Sequence, residues 1–444
     1  MNSTEPSVTD ESSALAGLEE RCSPKRFAGA FALLVFFVFL PLLVANTSLV
    51  LRDFSVFGYP LAHYHRAAFW SGEIPLWNPL SYAGIPFAAQ WNTMVFYPGS
   101  LIYLFFPLPW SLSAFCVVHL YVAGLGMYFL IRHWTASNVA GVIAGLVFAL
   151  SGLVQNSLMW PNNIAALGCL PWVLLTLKLA LARGGRHVVF AILAGSMQML
   201  TGAPEVILFT WLLVGVLWLV EGRLNESVGR LAIVVASVAV LCAIQLLPFF
   251  DLLLISERAG VTQENNWAMD FDGWVNFISP LYETRTKGIG AFYHDTQAWT
   301  HSYFVGVPVL WLSLVALCAD RSRRTWVLGG VLLVATWLAM GADAGLYSLV
   351  AKIPPLSMIR YPVKFVIVTT VVFAMLAGLG VRALSKGAAI RIPTIVTTCL
   401  CLLAFLLIKD AQNDGVIMSR GYYEKGVVSI AAPIRDGRDL VVAA

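Results

Sequence analysis

The sequence predicts an all-α polytopic membrane protein with about eleven transmembrane helices, and three observations carry that expectation. Hydrophobic residues make up 59% of the chain and charged residues 12%, with a mean hydropathy of +0.78. A soluble domain carries about twice that charged fraction. Apolar runs long enough to cross a bilayer, each needing ~20 residues, recur along the chain. Basic residues fall in every second connection between them.

Residues 1–26, rich in Ser, Thr and Glu, read as a disordered cytoplasmic tail. The first span, 27–51, is long enough to cross and has no small-residue cleavage pattern after it, so it reads as a retained helix rather than a signal peptide. A long aromatic, proline-rich loop follows over 54–110. In it Tyr59-Pro60 begins an expected interfacial helix over 61–70. The run 95–107 is interrupted by Pro98 and Gly99 and reads as a half-embedded segment. Further spans are expected near 112–131, 139–154, 164–182, 188–201, 205–220, 229–248, 303–319, 325–341, 363–384 and 393–408. Two of these, 139–154 and 188–201, are short enough to be broken or tilted. The transmembrane domain is thus 27–408, with 409–444 an extracytoplasmic tail. The seven cysteines lie almost all in apolar spans without metal-ligand spacing, and read as buried small hydrophobes. No internal repeat is evident, which argues against the common secondary-transporter folds.

Orientation follows from Arg21, Lys25 and Arg26 before the first span, then Arg132, then Arg183 and Arg186, then Arg223 and Arg230. Arg321, Arg323 and Arg324 come next, and Arg382, Lys386 and Arg391 last. Short basic loops mark the cytoplasmic side. The other face receives the wide loops 54–110, 155–163, 201–205, 249–302 and 341–364. A channel or symmetric carrier does not require that asymmetry, whereas an enzyme working at the outer surface does.

Asp53 is the first candidate for chemistry. A carboxylate where a helix leaves the membrane is costly without a job or a partner. The bland alternative is a helix-end charge paired with Arg52 or solvated. In the following helix His63 and Arg66 lie three apart and share a face. His63 and His65, two apart, point in different directions on a helix, so one metal ion is not expected between them. Glu73, Trp77 and Asn78 lie in a stretch dense in turn formers. Trp77 and Trp91 offer flat faces for sugar rings, against the commoner role of tryptophan at headgroup level. Arg360 and Lys364 stand four apart where a span begins, with Lys352 nearby. Cations at that depth suit a lipid phosphate, against ordinary snorkelling. Glu205 begins another span at the outer face. The loop 251–302 holds Glu257, Arg258, Asp270, Asp272, Glu283, Arg285, Lys287, His294, Asp295 and His301, too many to choose among. Phosphate-cradling glycine loops, nucleophile elbows and zinc signatures are absent from the sequence.

These motifs carry a resemblance. Asp53, Gly72-Glu73-Ile74-Pro75-Leu76-Trp77-Asn78-Pro79, Tyr82-Ala83-Gly84-Ile85-Pro86, Tyr97-Pro98, Gly202-Ala203-Pro204-Glu205, and Pro354-Pro355 through Arg360-Tyr361-Pro362 resemble the bacterial YfhO-like membrane proteins, relatives of the GT-C glycosyltransferases. The resemblance implies a GT-C-like fold that uses a polyprenyl-phosphate-linked sugar on the outer side of the inner membrane. It implies a catalytic acid in the first outer loop, which Asp53 matches. A second acidic residue near the first has no clear counterpart, Glu73 being the substitute. Substrate contacts would come from Arg52, His63, Arg66, Trp77, Asn78, Glu205, Arg360 and Lys364. Family members often continue into a sizeable extracytoplasmic domain, of which 409–444 would be the start. The acceptor would be an envelope glycan, lipid or protein. No nucleic acid and no cofactor is expected, with a divalent cation as the alternative to the latter.

Two rivals stand beside the transferase. A transporter or flippase of lipid-linked glycans predicts polar residues along the middle of spans, and those inside the spans are sparse: Gln198, Gln245 and, near an end, Lys178. A non-catalytic partner in envelope assembly predicts a filled cavity at Asp53.

Overall fold

The computed structural model describes residues 16–44, 47–49, 52–221, 224–256, 267–280, 282, 284–287, 291–294, 297–353, 356 and 359–413. Tail residues 1–15 and 414–444 lie outside these, as do Pro354, Pro355, Glu257, Arg258, Glu283 and Asp295. The principal helices are α1 (Pro24–Val38), α2 (Tyr59–Trp70), α3 (Trp110–Thr135), α4 (Asn138–Leu150), α5 (Pro161–Arg183), α6 (Arg186–Leu200) and α7 (Pro204–Glu221). They continue with α8 (Leu224–Leu241), α9 (Ala243–Ile255), α10 (Val307–Ala319), α11 (Arg323–Ala339), α12 (Val366–Leu384) and α13 (Arg391–Asn413). Two short antiparallel hairpins sit in loops. β1 (Trp77–Asn78) pairs with β2 (Ile85–Pro86), and β3 (Thr284–Lys287) with β4 (Ala291–His294).

The apolar runs form helices as expected, but several bend. Four helical segments are long and apolar enough to cross a membrane, Trp110–Thr135, Pro161–Arg183, Pro362–Leu384 and Arg391–Ile408. The number rises to six if two bent pairs each count as one span. The expected span 139–154 bends by 43° after Leu150, where Ser151 caps the next short helix by accepting from Val154 N. The span 229–248 bends by 76° between α8 and α9. The first span, expected to run unbroken over 27–51, stops at Phe39 and resumes only as Leu40–Val44, with Pro41 at the break. The bend in 139–154 fits its short length, whereas the other two breaks were not expected. Arg186–Leu200, Pro204–Val220 and Val307–Ala319 are shorter apolar helices, so the described helices reach fewer long spans than eleven. Residues 16–26, placed in the disordered tail, include a helical stretch. There the Glu19 carboxylate accepts from Ser137 Oγ and Asn138 N, both at 2.5 Å, at the start of α4. The cysteines are all free thiols, but of those expected to be buried only Cys116 and Cys242 are. Cys22, Cys169 and Cys401 are half-buried, and Cys318 and Cys399 are exposed.

The connections sort to two ends. At the basic end, Arg132 Nε donates to Asn138 Oδ1 (2.6 Å) and Arg230 Nη1 to Leu181 O (2.7 Å). At the other end, Gly152 N donates to Phe304 O (2.8 Å), Trp91 Nε1 to Met199 O (2.7 Å) and Met269 N to Ala339 O (2.8 Å). The core lies around α3, α4, α5 and α12, and 89% of the apolar window of Pro362–Leu384 is buried. Helices in lipid approach closely where residues are small. At Gly380 an added Cβ would lie 2.0 Å from Leu312 O of α10. The mid-span amides serve this packing. Gln198 Nε2 donates to Thr210 Oγ1 (2.7 Å) and Gln245 Nε2 to Ala88 O (2.9 Å), and both side chains are fully buried. Gln198 thus joins α6 to α7, and Gln245 joins α9 to the loop at Ala88.

Gly380→Ala should therefore push α10 from α12 and destabilise by ~1–3 kcal/mol. Gly330→Ala on α11, where a Cβ meets nothing within 4 Å, should leave stability unchanged or slightly raised. Thermal unfolding in detergent compares them, and equal effects would refute the close contact.

Candidate active site

Asp53 lies where the chain turns from the first membrane segment into the loop. It precedes a π-helical turn, Phe54–Gly58, that runs directly into α2. Such turns are rare and recur at functional sites. Arg52 before it has φ 49°, a left-handed backbone that an L-residue adopts only under constraint. The constraint is visible on its side chain. Arg52 Nη2 donates to Ala298 O (2.7 Å), and Nη1 lies 3.2 Å from His301 Nε2. The two neighbours thus face different parts of one site, Arg52 toward 298–301 and Asp53 toward the start of α5.

There the indole Nε1 of Trp160 donates to Asp53 Oδ2 at 2.5 Å. Trp160 stacks on Trp299, ring centroids 5.4 Å apart and planes within 9°. Trp299 is held by Gln297, whose Oε1 accepts from Trp299 N (2.9 Å) and Thr300 N (3.0 Å). Asn156 Oδ1 accepts from His301 N (3.1 Å), which ties the same loop to the short helix Gly152–Asn156 that follows α4.

On the far side, Lys364 Nζ lies 5.8 Å from the Trp299 ring centroid and 5.1 Å from that of Tyr361. A cation over aromatic faces is attracted by their quadrupoles, most strongly when desolvated. Lys364 sits in the 3-10 turn Pro362–Phe365 that opens α12, and it pairs with Glu205 in the first turn of α7. The pair is largely buried, with side chains 12% and 23% exposed. Glu205 also suits the positive end of its helix. The turn before it needs glycine, because Gly202 has φ +71° and an added Cβ would fall 2.0 Å from Trp91 O. Gly202 O accepts from Asn162 Nδ2 (2.9 Å). Arg360 is exposed, its guanidinium 5.2 Å from the Tyr361 ring centroid.

The site thus reads Asp53, Trp160, Trp299, Lys364, Glu205, with Arg52 and Arg360 at its margins. A cavity of about 20 Å³ beside Asp53 is lined by Asn92, Tyr103, Trp160 and Asn162, and has room for about one water. This arrangement offers a carboxylate acceptor, a flat aromatic platform and a held cation at one end of the bundle.

The other residues singled out from the sequence lie elsewhere. Glu73 is exposed beyond the end of α2, which spans 12 residues, or about 18 Å at 1.5 Å per residue. Trp77 and Asn78 form β1. Asn78 is buried and accepts from Leu80 N (2.9 Å) while donating to Ser81 Oγ (3.1 Å), so it shapes the turn. Trp77 is 55% exposed and its carbonyl accepts from Tyr64. His63 is exposed, and Arg66 Nε donates to Phe106 O (3.2 Å). His65, not His63, is the buried one. It hydrogen-bonds Tyr103 OH (3.1 Å), and burial pushes its imidazole down to about 4, so it is neutral near pH 7. Among the described residues, no three His, Cys, Asp or Glu gather as metal ligands do. Trp160, Trp299 and Asn162 were not singled out beforehand. Their one signal was position, within the loops assigned to the outer face.

No family model matches the chain, and no curated protein matches it. Among solved structures it is similar to the crystal structure of ArnT from Cupriavidus metallidurans bound to undecaprenyl phosphate. The two share 14% identity and a TM-score of 0.49, over 90% of this chain and 68% of that one. A likeness of that size carries no argument about this chain's function.

Removing the cation should expose the weight of the ion pair. Lys364→Met is expected to destabilise by ~1–3 kcal/mol, less than the cost of breaking a fully buried pair because both side chains keep some solvent. Adding Glu205→Gln to it should recover part of that loss. Thermal unfolding of the single and double variants reads this, and a double variant worse than the sum would contradict it.

Proposed function

We propose that this chain is a membrane glycosyltransferase of the GT-C kind, belonging with the YfhO-like proteins. It would move a sugar from a polyprenyl-phosphate donor to an envelope acceptor on the extracytoplasmic side of a bacterial inner membrane. Eleven crossings would place the N-terminus inside and the C-terminus outside, and the alternation of helix ends between two sides supports that path.

One observation carries the proposal: Asp53 and Lys364 flank the same stacked tryptophan pair. The pair is buried, and a sugar ring would pack on its apolar face once the residues covering it move aside. Asp53 takes the proton from an acceptor hydroxyl as that oxygen bonds to the anomeric carbon. The bond from that carbon to the phosphate oxygen breaks, and the phosphate leaves with the electron pair. Lys364 faces the growing negative charge in a site with little water, where a positioned cation is worth most. Glu205 holds Lys364 in place until the phosphate arrives, and Arg360 adds a second cation from the exposed side. With the donor anchored in the bilayer at the depth of both groups, positioning supplies much of the rate. This chemistry needs no cofactor. One carboxylate acting alone as base inverts the sugar carbon.

A second reading is kept because of the cavity. At about 20 Å³ it has no room for a sugar, as a non-catalytic assembly protein would have it. The transferase requires the donor to part the walls of that cavity and uncover the tryptophans, which are 9% and 6% exposed.

Transfer of labelled sugar from a polyprenyl-phosphate donor in membranes separates the readings. Asp53→Asn still accepts the Trp160 hydrogen bond but cannot take a proton, so transfer should fall by about 10²–10⁴ at unchanged expression. Full activity in the variant would remove Asp53 as base. No transfer by the wild-type chain would favour the assembly role.

A further inference from the structure

A second cavity lies at the other end of the bundle. Its volume is about 810 Å³, within the range of sites that hold small molecules. Among the described residues, five cations line it, Lys178, Arg323, Arg324, Arg382 and Lys386, against one carboxylate, Asp320. They come from α5, α11, α12 and the connection after α12, so the fold gathers them around one space. Cations that only snorkel have no reason to converge in this way.

The single carboxylate is engaged within its own turn. Asp320 accepts from Thr325 Oγ1 (2.7 Å), Ser322 N (3.0 Å) and Ser322 Oγ (3.2 Å). Burial pushes its carboxyl up, but these hydrogen bonds and the Lys386 charge outweigh it and hold the group below the usual range. Its carboxylate therefore caps the start of α11 and also faces Lys386. Two of those cations are set by one ring. Arg324 lies 4.6 Å and Lys178 5.9 Å from the centroid of Trp134. Leu181, Trp218 and Leu379 add an apolar stretch to the wall, which also carries Thr135, Ser227 and Ser322.

We propose that this cavity is a binding site for a phosphate-bearing anion, with the apolar wall set to take the less polar part of the same molecule. Basic pockets between membrane helices bind anionic lipid headgroups, and arginine pairs of this kind grip phosphate oxygens in two-point contacts. The ligand is either a lipid headgroup entering from the bilayer or a water-soluble phosphate compound. The site is separate from the one at Asp53. α5 begins beside Trp160 and reaches Lys178 about 25 Å further on, at 1.5 Å per residue.

Thermal unfolding of the purified full chain in detergent micelles tests it. The lipid probes are phosphatidylglycerol and phosphatidylcholine, and the soluble probe is inorganic pyrophosphate. A saturable rise in midpoint with phosphatidylglycerol but not phosphatidylcholine supports a lipid headgroup. A rise with pyrophosphate supports a soluble phosphate compound. In either case Arg382→Gln with Lys386→Gln should weaken the apparent affinity about tenfold or more. Lys386→Gln alone, at an exposed position, should weaken it in the same direction. Arg391→Gln, an exposed cation outside the cavity, should change it by less than about twofold. No shift with any probe, equal shifts with both lipids, or equal weakening by the cavity and control variants would overturn the proposal.

Discussion

The hydrogen bond from Trp160 to Asp53 is the contact on which this end of the bundle depends. A carboxylate at the edge of an apolar bundle must be partnered or it is costly to keep. The indole N–H is a donor only, so it suits a carboxylate and cannot compete for its proton. Because Trp160 immediately precedes α5, the bond also seats α5 against the turn leading into α2. The other face of that tryptophan then finds Trp299, and through it the loop 297–301 is fixed over the same spot. One polar requirement thus organises three connections that are far apart in sequence.

The cation on the opposite side obeys the same rule. Lys364 is held by Glu205 and by two aromatic rings, so its charge is kept close to the tryptophan pair without being free in solvent. That arrangement links α7 to α12, whose span is the most buried of the four long ones. A phosphate arriving at Lys364 exchanges one anionic partner for another, which costs less than stripping water from an exposed ammonium. The glycines at 202 and 380 serve these contacts from a distance, one by letting the turn before Glu205 pass Trp91, the other by letting α12 lie close to α10.

Much of this was legible in the sequence, but unevenly. Apolar runs locate the helices because burial in lipid admits few alternatives. They do not locate breaks, so the stop at Phe39 and the bend after Leu241 went unseen. Asp53 stood out because a carboxylate where a span leaves the membrane is costly without a partner or a role. Glu205 and Lys364 were each noticed, yet nothing in a single sequence says that residues so far apart form a pair. Trp160 and Trp299 were hidden by their ordinariness, since tryptophan at a membrane boundary needs no special explanation. The reverse held for Glu73, Trp77 and Asn78. Their dense turn motif drew attention, and the structure places Trp77 and Asn78 in a hairpin and Glu73 beyond α2. Choosing between His63 and His65 depended on which helix face packs on Tyr103, and helical spacing alone does not decide that.

The account's central claim is that the tryptophan pair, with Asp53 on one side and Lys364 on the other, receives the donor. The most direct test is an electron cryomicroscopy structure of the full chain in nanodiscs with a polyprenyl-phosphate sugar bound. The claim predicts the phosphate within hydrogen-bonding distance of Lys364 and the sugar ring against the Trp160–Trp299 stack. A donor bound elsewhere, with the stack and the Glu205 pair undisturbed, would contradict it.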